Sequence, residues 1–352
     1  MRQNLQGFSG CQYILKGKDN VVIIASIFTT RMVIHAVLME CYAAAGKKIQ
    51  KREMTMDNEL LLIDRLEVIK TTIQRYGEEN FYLSFSGGKD STVVSKLVDM
   101  ALPENEIPRV YANTGIEYIT MVEWVKKQAE SDKRIEIIKP SKPIKQMLEE
   151  NGYPFKSKIH SCFVARYQKR GMKDAERGYL GLLPDRWHTI TCPDILKYQF
   201  TEKNTLKISD QCCAEMKEKP LVKWGKENKK DISIIGVMQE EGGRRTKAQC
   251  LVFENKKVKK FQPLAPINKQ WENWFVEKYK IELCPLYYEP YNFERTGCKG
   301  CPFALHLQAE LDTLQKHFPA ERKQCEIIWK PVYDEYRRLG YRLKKDEQTK
   351  LF

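Results

Sequence analysis

Six residues constrain this chain more than any others: Ser86-Gly87-Gly88-Lys89-Asp90-Ser91 lies between a short apolar run, Phe81 to Phe85, and a helical pattern from Thr92 to Met100. A glycine pair alone reads as a turn that caps a helix, whereas the strand-loop-helix setting makes it a place for an anion. Glycine has no Cβ, so the backbone approaches an anion closely. Successive N–H groups then converge on its oxygens, and the helix N-terminus adds partial positive charge. Ser86 and Ser91 add hydroxyl donors, Lys89 a charge, and Asp90 a ligand for phosphate-bound Mg²⁺. The Walker pattern requires Ser or Thr after its lysine; here Asp90 follows Lys89, so this is a different phosphate loop.

The surrounding pattern is α/β. Arg109 to Asn113 reads as a strand, followed by a turn at Thr114-Gly115, a helix from Thr120 to Ser131 and a strand from Arg134 to Ile138. Strands alternating with helices of about 10–15 residues predict βαβ units and a doubly wound, mainly parallel sheet. Ile232 to Val237 is a further strand. Asn58 is expected to cap a helix from Glu59 to Arg75, with Leu61, Ile63, Leu66, Ile69 and Ile73 on its apolar face. Residues 141–230, rich in Lys, Pro and Cys, read as an insertion of loops and short helices. Trp271 to Tyr279, Phe303 to His317 and Glu321 to Leu339 read as helices, with Trp271, Trp274, Trp329, Tyr333 and Tyr336 packed in a core. The expected organisation is an appendage at 1–53, a nucleotide-binding domain at 54–290 and a C-terminal segment of loop and helices at 291–352.

Lys plus Arg number 60 against 46 Asp plus Glu, a net charge of +14, which favours polyanionic partners such as nucleotides or nucleic acid. The apolar stretch Val21 to Ala45 carries Arg31, His35 and Glu40, so it reads as a packed strand and helix, not a membrane span. The basic run Lys47, Lys48, Lys51, Arg52 follows it. Eleven cysteines without a secretory signal point to reduced thiols, metal ligands or catalysis in the cytoplasm. Cys212-Cys213 and Cys298-Lys299-Gly300-Cys301 offer four thiolates, a set that serves a 4Fe-4S cluster or zinc. Adjacent cysteines diverge, which suits the broader cluster better; simple burial is the remaining alternative. Cys192, Cys250, Cys284 and Cys325 read as small buried residues. Cys162, near His160 and Arg166, is the best candidate for a reactive thiolate. His188, His306 and His317 lack ligand spacing, and Lys256, Lys257, Lys259 and Lys260 read as a solvated hairpin.

Ser-Gly-Gly-Lys-Asp-Ser resembles the PP-loop of the adenine-nucleotide alpha-hydrolase-like (HUP) superfamily, whose members typically cleave ATP between its α and β phosphates to adenylate a substrate. Tyr111-Ala112-Asn113-Thr114-Gly115-Ile116-Glu117, with Thr120, resembles the second strand and turn of the phosphoadenosine phosphosulfate (PAPS) reductase branch. Gly236-Val237-Met238-Gln239-Glu240-Glu241 with Arg245 is similar to its later Gly-Ile-Arg-x-Glu-Glu-Ser-x-x-Arg block, Met238 replacing the first Arg and Gly242 the Ser, with Arg244 beside Arg245 as a possible compensation. Cys212-Cys213 with Lys217, Pro220 and Leu221, and the distant Cys298 and Cys301, resembles the cluster motif of adenylyl-sulfate (APS) reductases; Met216 stands where those have Arg.

The resemblance implies a HUP-like fold and an adenine nucleotide, ATP or APS/PAPS, on Ser86, Gly87, Gly88, Lys89, Asp90, Ser91, Thr114, Gly115, Glu117, Gly236, Glu241 and Arg245. It implies Lys89, Asp90 and Arg245 as the catalytic groups, and a 4Fe-4S cluster on Cys212, Cys213, Cys298 and Cys301. The full loop without the C-terminal Glu-Cys-Gly-x-His nucleophile of sulfonucleotide reductases favours ATP. The expected reaction is sulfur transfer, with a nucleic acid as acceptor and a donor such as a cysteine desulfurase. The alternatives are a reductase producing sulfite and a non-catalytic nucleotide- or nucleic-acid-binding module.

Overall fold

The computed structural model describes residues 12–16, 22–26, 58–183 and 190–345. Two compact units result, Met1–Asp57 and Asn58–Phe352. In the first, β1 (Gln12–Lys16) and β2 (Val22–Ser26) form an antiparallel hairpin with Gln12 opposite Ser26. Arg31, His35, Glu40, the basic run from Lys47 to Arg52 and, later, His188 lie outside the described residues. Among the described residues no helix is long and apolar enough to cross a membrane.

The second unit is built on a six-stranded sheet of β3 (Phe81–Ser84), β4 (Arg109–Ala112), β5 (Ile135–Ile138), β6 (Ile232–Ile234), β7 (Leu251–Glu254) and β8 (Lys257–Phe261), in the order β5-β4-β3-β6-β8-β7. All neighbours are parallel except β7 and β8. The fold is thus the expected doubly wound α/β class. Strands β3, β4 and β6 are buried almost throughout, and a strand covered on both faces reads as an apolar run such as Phe81-Tyr82-Leu83. The expected hairpin forms, with Lys256 and Lys257 exposed: Asn255 and Lys256 turn with φ of 50° and 63°, the left-handed pair of a primed hairpin turn, and buried Val258 and Phe261 anchor β8 beside β6.

Helices α1 (Asn58–Tyr76), α2 (Lys89–Ala101) and α3 (Ile119–Ser131) match the three expected near the sheet. One detail of α1 differs. It buries Leu62, Arg65, Ile69, Thr72 and Ile73, while Ile63 is 63% exposed. An inward arginine hides this face from a count of apolar residues: its guanidinium binds Asp64 and Pro263 O (3.3 Å). The insertion folds as α4 (Ile144–Asn151), α5 (Lys158–Arg170), α6 (Asp174–Tyr179), a 3₁₀ segment at Asp194–Phe200, a π-helical turn at Ala214–Glu218 and α7 (Lys219–Glu227). Helices α8 (Lys269–Lys278), α9 (Leu307–His317), α10 (Pro319–Ile328) and α11 (Lys330–Leu339) complete the unit. Trp271, Trp329, Tyr333 and Tyr336 are buried as expected.

Candidate functional site

The chain leaves β3 toward β4 on one side, whereas β6 lies on the other, so the carboxyl ends of β3 and β6 flank a switch point, where open α/β sheets bind ligands. Ser86 to Ser91 occupies that crevice and runs into the N-terminus of α2. Its hydroxyls hold its shape: Ser86 N donates to Ser91 Oγ (3.2 Å), Gly88 N to Ser86 Oγ (3.3 Å) and Ser91 Oγ to Gly88 O (2.9 Å). Lys89 N donates to Tyr287 Oη at 2.9 Å. These amides are therefore satisfied by hydroxyls, partners that a phosphate oxygen can replace. Gly87 has φ +72°, and a Cβ there would sit 2.5 Å from Met121 Sδ. At Gly236, just after β6, a Cβ would lie 2.9 Å from the Asp90 carbonyl carbon and oxygen. The crevice closes to backbone distance only because that residue has no side chain.

A residue not singled out by its sequence stands beside the loop. Glu272 of α8 is 1% exposed, and its Oε2 lies 3.8 Å from Lys89 Nζ. Burial first, and then hydrogen-bonded Asp90 and nearby Glu241, push its carboxyl up to about 8 against the pull of Lys89. Its Oε1 has no hydrogen-bond partner. A glutamate in the first turn of a helix reads as a partner for the helix dipole, which is why the pattern did not mark it. Lys89 Nζ also donates to Asn273 Oδ1 (2.8 Å). A cleft of about 540 Å³ opens beside Lys89, lined among others by Val276, Ile281, Tyr287, Tyr288 and Phe293. Glu241, expected to touch the nucleotide, is held by Arg245, by Arg295 at 2.5 Å and by Met238 N at 3.3 Å. Arg245 is thus ion-paired with Glu241.

Thr114, Gly115 and Glu117 end β4. Thr114 donates to Glu117 from N (3.0 Å) and Oγ1 (2.8 Å), and Gly115 turns with φ +79°. The buried Glu117 carboxylate also pairs with Lys217 at 3.1 Å, and its backbone bridges Cys298. This turn therefore joins the nucleotide end of the sheet to the cysteines. Lys217 hydrogen-bonds Cys298; burial would discharge the amine, but Cys298 and Glu117 outweigh it and raise its pKa.

The structure brings Cys212, Cys213, Cys298 and Cys301 within electrostatic reach of one another. Burial, then Cys298, Cys213 and Cys301, raises the pKa of Cys212; burial, then Cys298, raises that of Cys301. Cys298 is likewise raised by burial, against the pull of Lys217. Thiols that are costly to ionise become stable thiolates beside a strongly positive centre. Among the described residues no three His, Cys, Asp or Glu side chains are placed so as to hold a metal ion. The four thiols fit a four-iron cluster in number and chemistry. The C-terminal helices brace the Cys298 to Cys301 turn: Trp329 Nε1 donates to Lys299 O (3.2 Å), Tyr333 Oη to Gly300 O, and Tyr336 Oη to Pro302 O (2.9 Å). Buried Lys299 pairs with Glu321 at 2.8 Å. Gly300 (φ +59°) leaves no room for a Cβ against Tyr333 and Cys325.

Among the described residues the remaining cysteines form no second set. Cys325 is fully buried and pushed by burial up to about 12, the environment of an inert thiol. Cys162 is half-buried. His160, expected to favour a thiolate there, is fully buried between Tyr179 Oη (3.0 Å) and Gln199 Oε1 (2.6 Å), and burial holds its pKa down to about 4.

A mainly parallel doubly wound sheet with Ser-Gly-Gly-Lys-Asp-Ser in its switch crevice defines a PP-loop protein of the adenine-nucleotide alpha-hydrolase-like superfamily. Within it, the family model of the phosphoadenosine phosphosulfate reductase domain matches residues 80–173 and 187–304, and the chain belongs to that family. Its members are enzymes that bind adenine nucleotides. Among solved structures it is similar to a PAPS reductase from Candida auris in complex with phosphate (14% identity, 68% of this chain and 93% of that chain, TM-score 0.36). It is also similar to the U34-tRNA thiolase NcsA from Methanococcus maripaludis with its [4Fe-4S] cluster (17% identity, 80% of each chain, TM-score 0.35). A third is the NH3-dependent NAD synthetase from Campylobacter jejuni (12% identity, 79% and 96%, TM-score 0.35). No curated protein sequence matches the chain.

Proposed function

We propose that this protein is an ATP-using sulfurtransferase of the PAPS reductase-like family that adenylates an acceptor and releases pyrophosphate. The observation that carries this reading is the complete Ser86 to Ser91 loop at the strand ends, with the Ser86, Gly88 and Lys89 amides held by hydroxyls that a phosphate oxygen can replace. In the reaction, an oxygen of the acceptor attacks the α-phosphorus of ATP and the bond to the bridging oxygen breaks. The loop amides and Lys89 take the charge of the departing pyrophosphate, and Asp90 holds its Mg²⁺. The terminal sulfur of a donor persulfide, such as that of a cysteine desulfurase, then attacks the adenylated carbon and displaces AMP, and a second thiol reduces the resulting disulfide so that the sulfur stays on the acceptor and the donor cysteine leaves. Cys212, Cys213, Cys298 and Cys301 would hold a 4Fe-4S cluster, which supplies redox and sulfur-binding chemistry. Arg245 completes the anion site when it exchanges Glu241 for phosphate. The net charge of +14 suits a nucleic-acid acceptor, and the free thiols suit the reducing cytoplasm.

The match to the PAPS reductase domain favours one second reading, reduction of APS or PAPS to sulfite. Burial of Cys325 speaks against that thiol as its nucleophile. The two readings separate by product. Anaerobic protein given ATP, Mg²⁺, RNA and a sulfide or persulfide donor is expected to form AMP and pyrophosphate in equal amounts, and Asp90→Ala to form neither. Sulfite from PAPS with no AMP from ATP would install the second reading instead.

A further inference from the structure

We infer that Tyr287 is a positioning residue: its hydroxyl ties the phosphate loop to the Cys298 turn and releases that turn when the loop takes a phosphate. Two bonds meet at this hydroxyl. Lys89 N donates to Tyr287 Oη at 2.9 Å, and the same oxygen hydrogen-bonds Thr296 Oγ1 at 2.7 Å; one proton and two lone pairs allow it both at once. Independently, the same pair closes the space over Gly88, where a Cβ would lie 3.3 Å from Tyr287 Oη and 3.4 Å from Thr296 Oγ1. Thr296 therefore packs on the loop itself, two residues before Cys298.

The segment around Thr296 leads directly to the thiols. Arg295 pairs with Glu241 at 2.5 Å, the Cys298 backbone bridges Glu117, and Lys299 N donates to Ile116 O at 2.9 Å. Residues 295–299 thus form one strap from the carboxylate that holds Arg245, past the loop, to the Thr114 to Glu117 turn. A phosphate oxygen that takes the Lys89 amide displaces the phenol from it. That oxygen only accepts, so it draws the phenol's own proton, and a hydrogen bond to a charged oxygen is about twice as strong as one between hydroxyls. Tyr287 then gives up Thr296. It has room to turn, because it lines the cleft of about 540 Å³ beside Lys89. The strap loses its tie at Thr296, and the amides around Cys298 open more readily. Occupancy of the loop is in this way registered at the cysteine end of the sheet.

This inference rests on the reading of the loop as a phosphate site, and its test keeps the two apart. The full chain, purified anaerobically, is followed by hydrogen exchange and mass spectrometry on peptides covering 294–301, with and without saturating magnesium pyrophosphate, whose binding is measured by calorimetry. In the wild type, pyrophosphate is expected to speed exchange there about twofold or more. In Thr296→Val and in Tyr287→Phe the tie is missing from the start. Both are expected to exchange at the pyrophosphate-bound rate of the wild type already without ligand, and Thr296→Val, which keeps the phenol, to bind pyrophosphate with no further change. Thr296→Ser restores the hydroxyl and is expected to respond as the wild type does; if circular dichroism shows Tyr287→Phe unfolded, the two Thr296 variants carry the test. Pyrophosphate bound by the wild type with exchange unchanged, or a full response in Thr296→Val, overturns this inference alone. Loss of pyrophosphate binding in Thr296→Val makes the tie a prop for the loop and overturns it too. No pyrophosphate binding by the wild type defeats the phosphate reading as well.

Discussion

Gly236 is the residue at which the two halves of the sheet meet the phosphate loop. Its missing Cβ would lie 2.9 Å from the backbone of Asp90, and backbone cannot yield as a flexible side chain can. Gly236→Ala should therefore push β6 and the α2 N-terminus apart at a cost of about 1–3 kcal/mol, and ATP affinity should fall with it, read by calorimetry beside a melting curve. Unchanged affinity would mean that the crevice is not the nucleotide site. The glycines and Lys89 were legible in the sequence because anion binding demands residue types that few other roles require in that order. Glu117 was legible only as a candidate, since the ion pair that fixes its carboxylate reaches Lys217, a hundred residues away in the chain. Glu272 was not legible at all, because its burial beside Lys89 is a tertiary contact that no local pattern encodes.

At the scale of elements, the insertion is held by polar groups as well as apolar ones. His160 lies between Tyr179 and Gln199, with Phe155 and Phe200 against its ring. Burial keeps it neutral down to about pH 4, below its ordinary 6.5. Between those values the unfolded chain binds more protons than the folded one. Stability from the neutral ring is therefore complete above about pH 6.5 and is lost as the pH falls toward 4, by at most roughly 3 kcal/mol. Melting curves from pH 7.5 to 4.5 should show this acid limb in the wild type and a flatter one in His160→Gln; equal slopes would remove His160 as its cause. The alternation of strands and helices was readable because βαβ units impose it. The β7–β8 hairpin's place at the sheet edge was not, because pairing of β8 with β6 is set by packing of Val258 and Phe261 and not by the lysines around them. Likewise, the bracing of the Cys298 to Cys301 turn by α10 and α11 depends on tertiary hydrogen bonds from Trp329 and Tyr333 that sequence spacing records only as core.

Across the whole molecule, one compact unit from Asn58 onward places a phosphate loop and four thiols on either side of the Thr114 to Glu117 turn. Everything claimed for its chemistry depends on which nucleotide the loop accepts. A loop that grips the pyrophosphate of ATP should also bind inorganic pyrophosphate, whereas a sulfonucleotide offers it no β,γ-phosphates to hold. The deciding measurement is an anaerobic calorimetric titration of the full chain with ATP and with PAPS, each repeated in the presence of pyrophosphate. ATP is expected to bind more tightly than PAPS, with pyrophosphate competing against ATP. Tight binding of PAPS, with ATP bound weakly or not at all and pyrophosphate without effect, would contradict it.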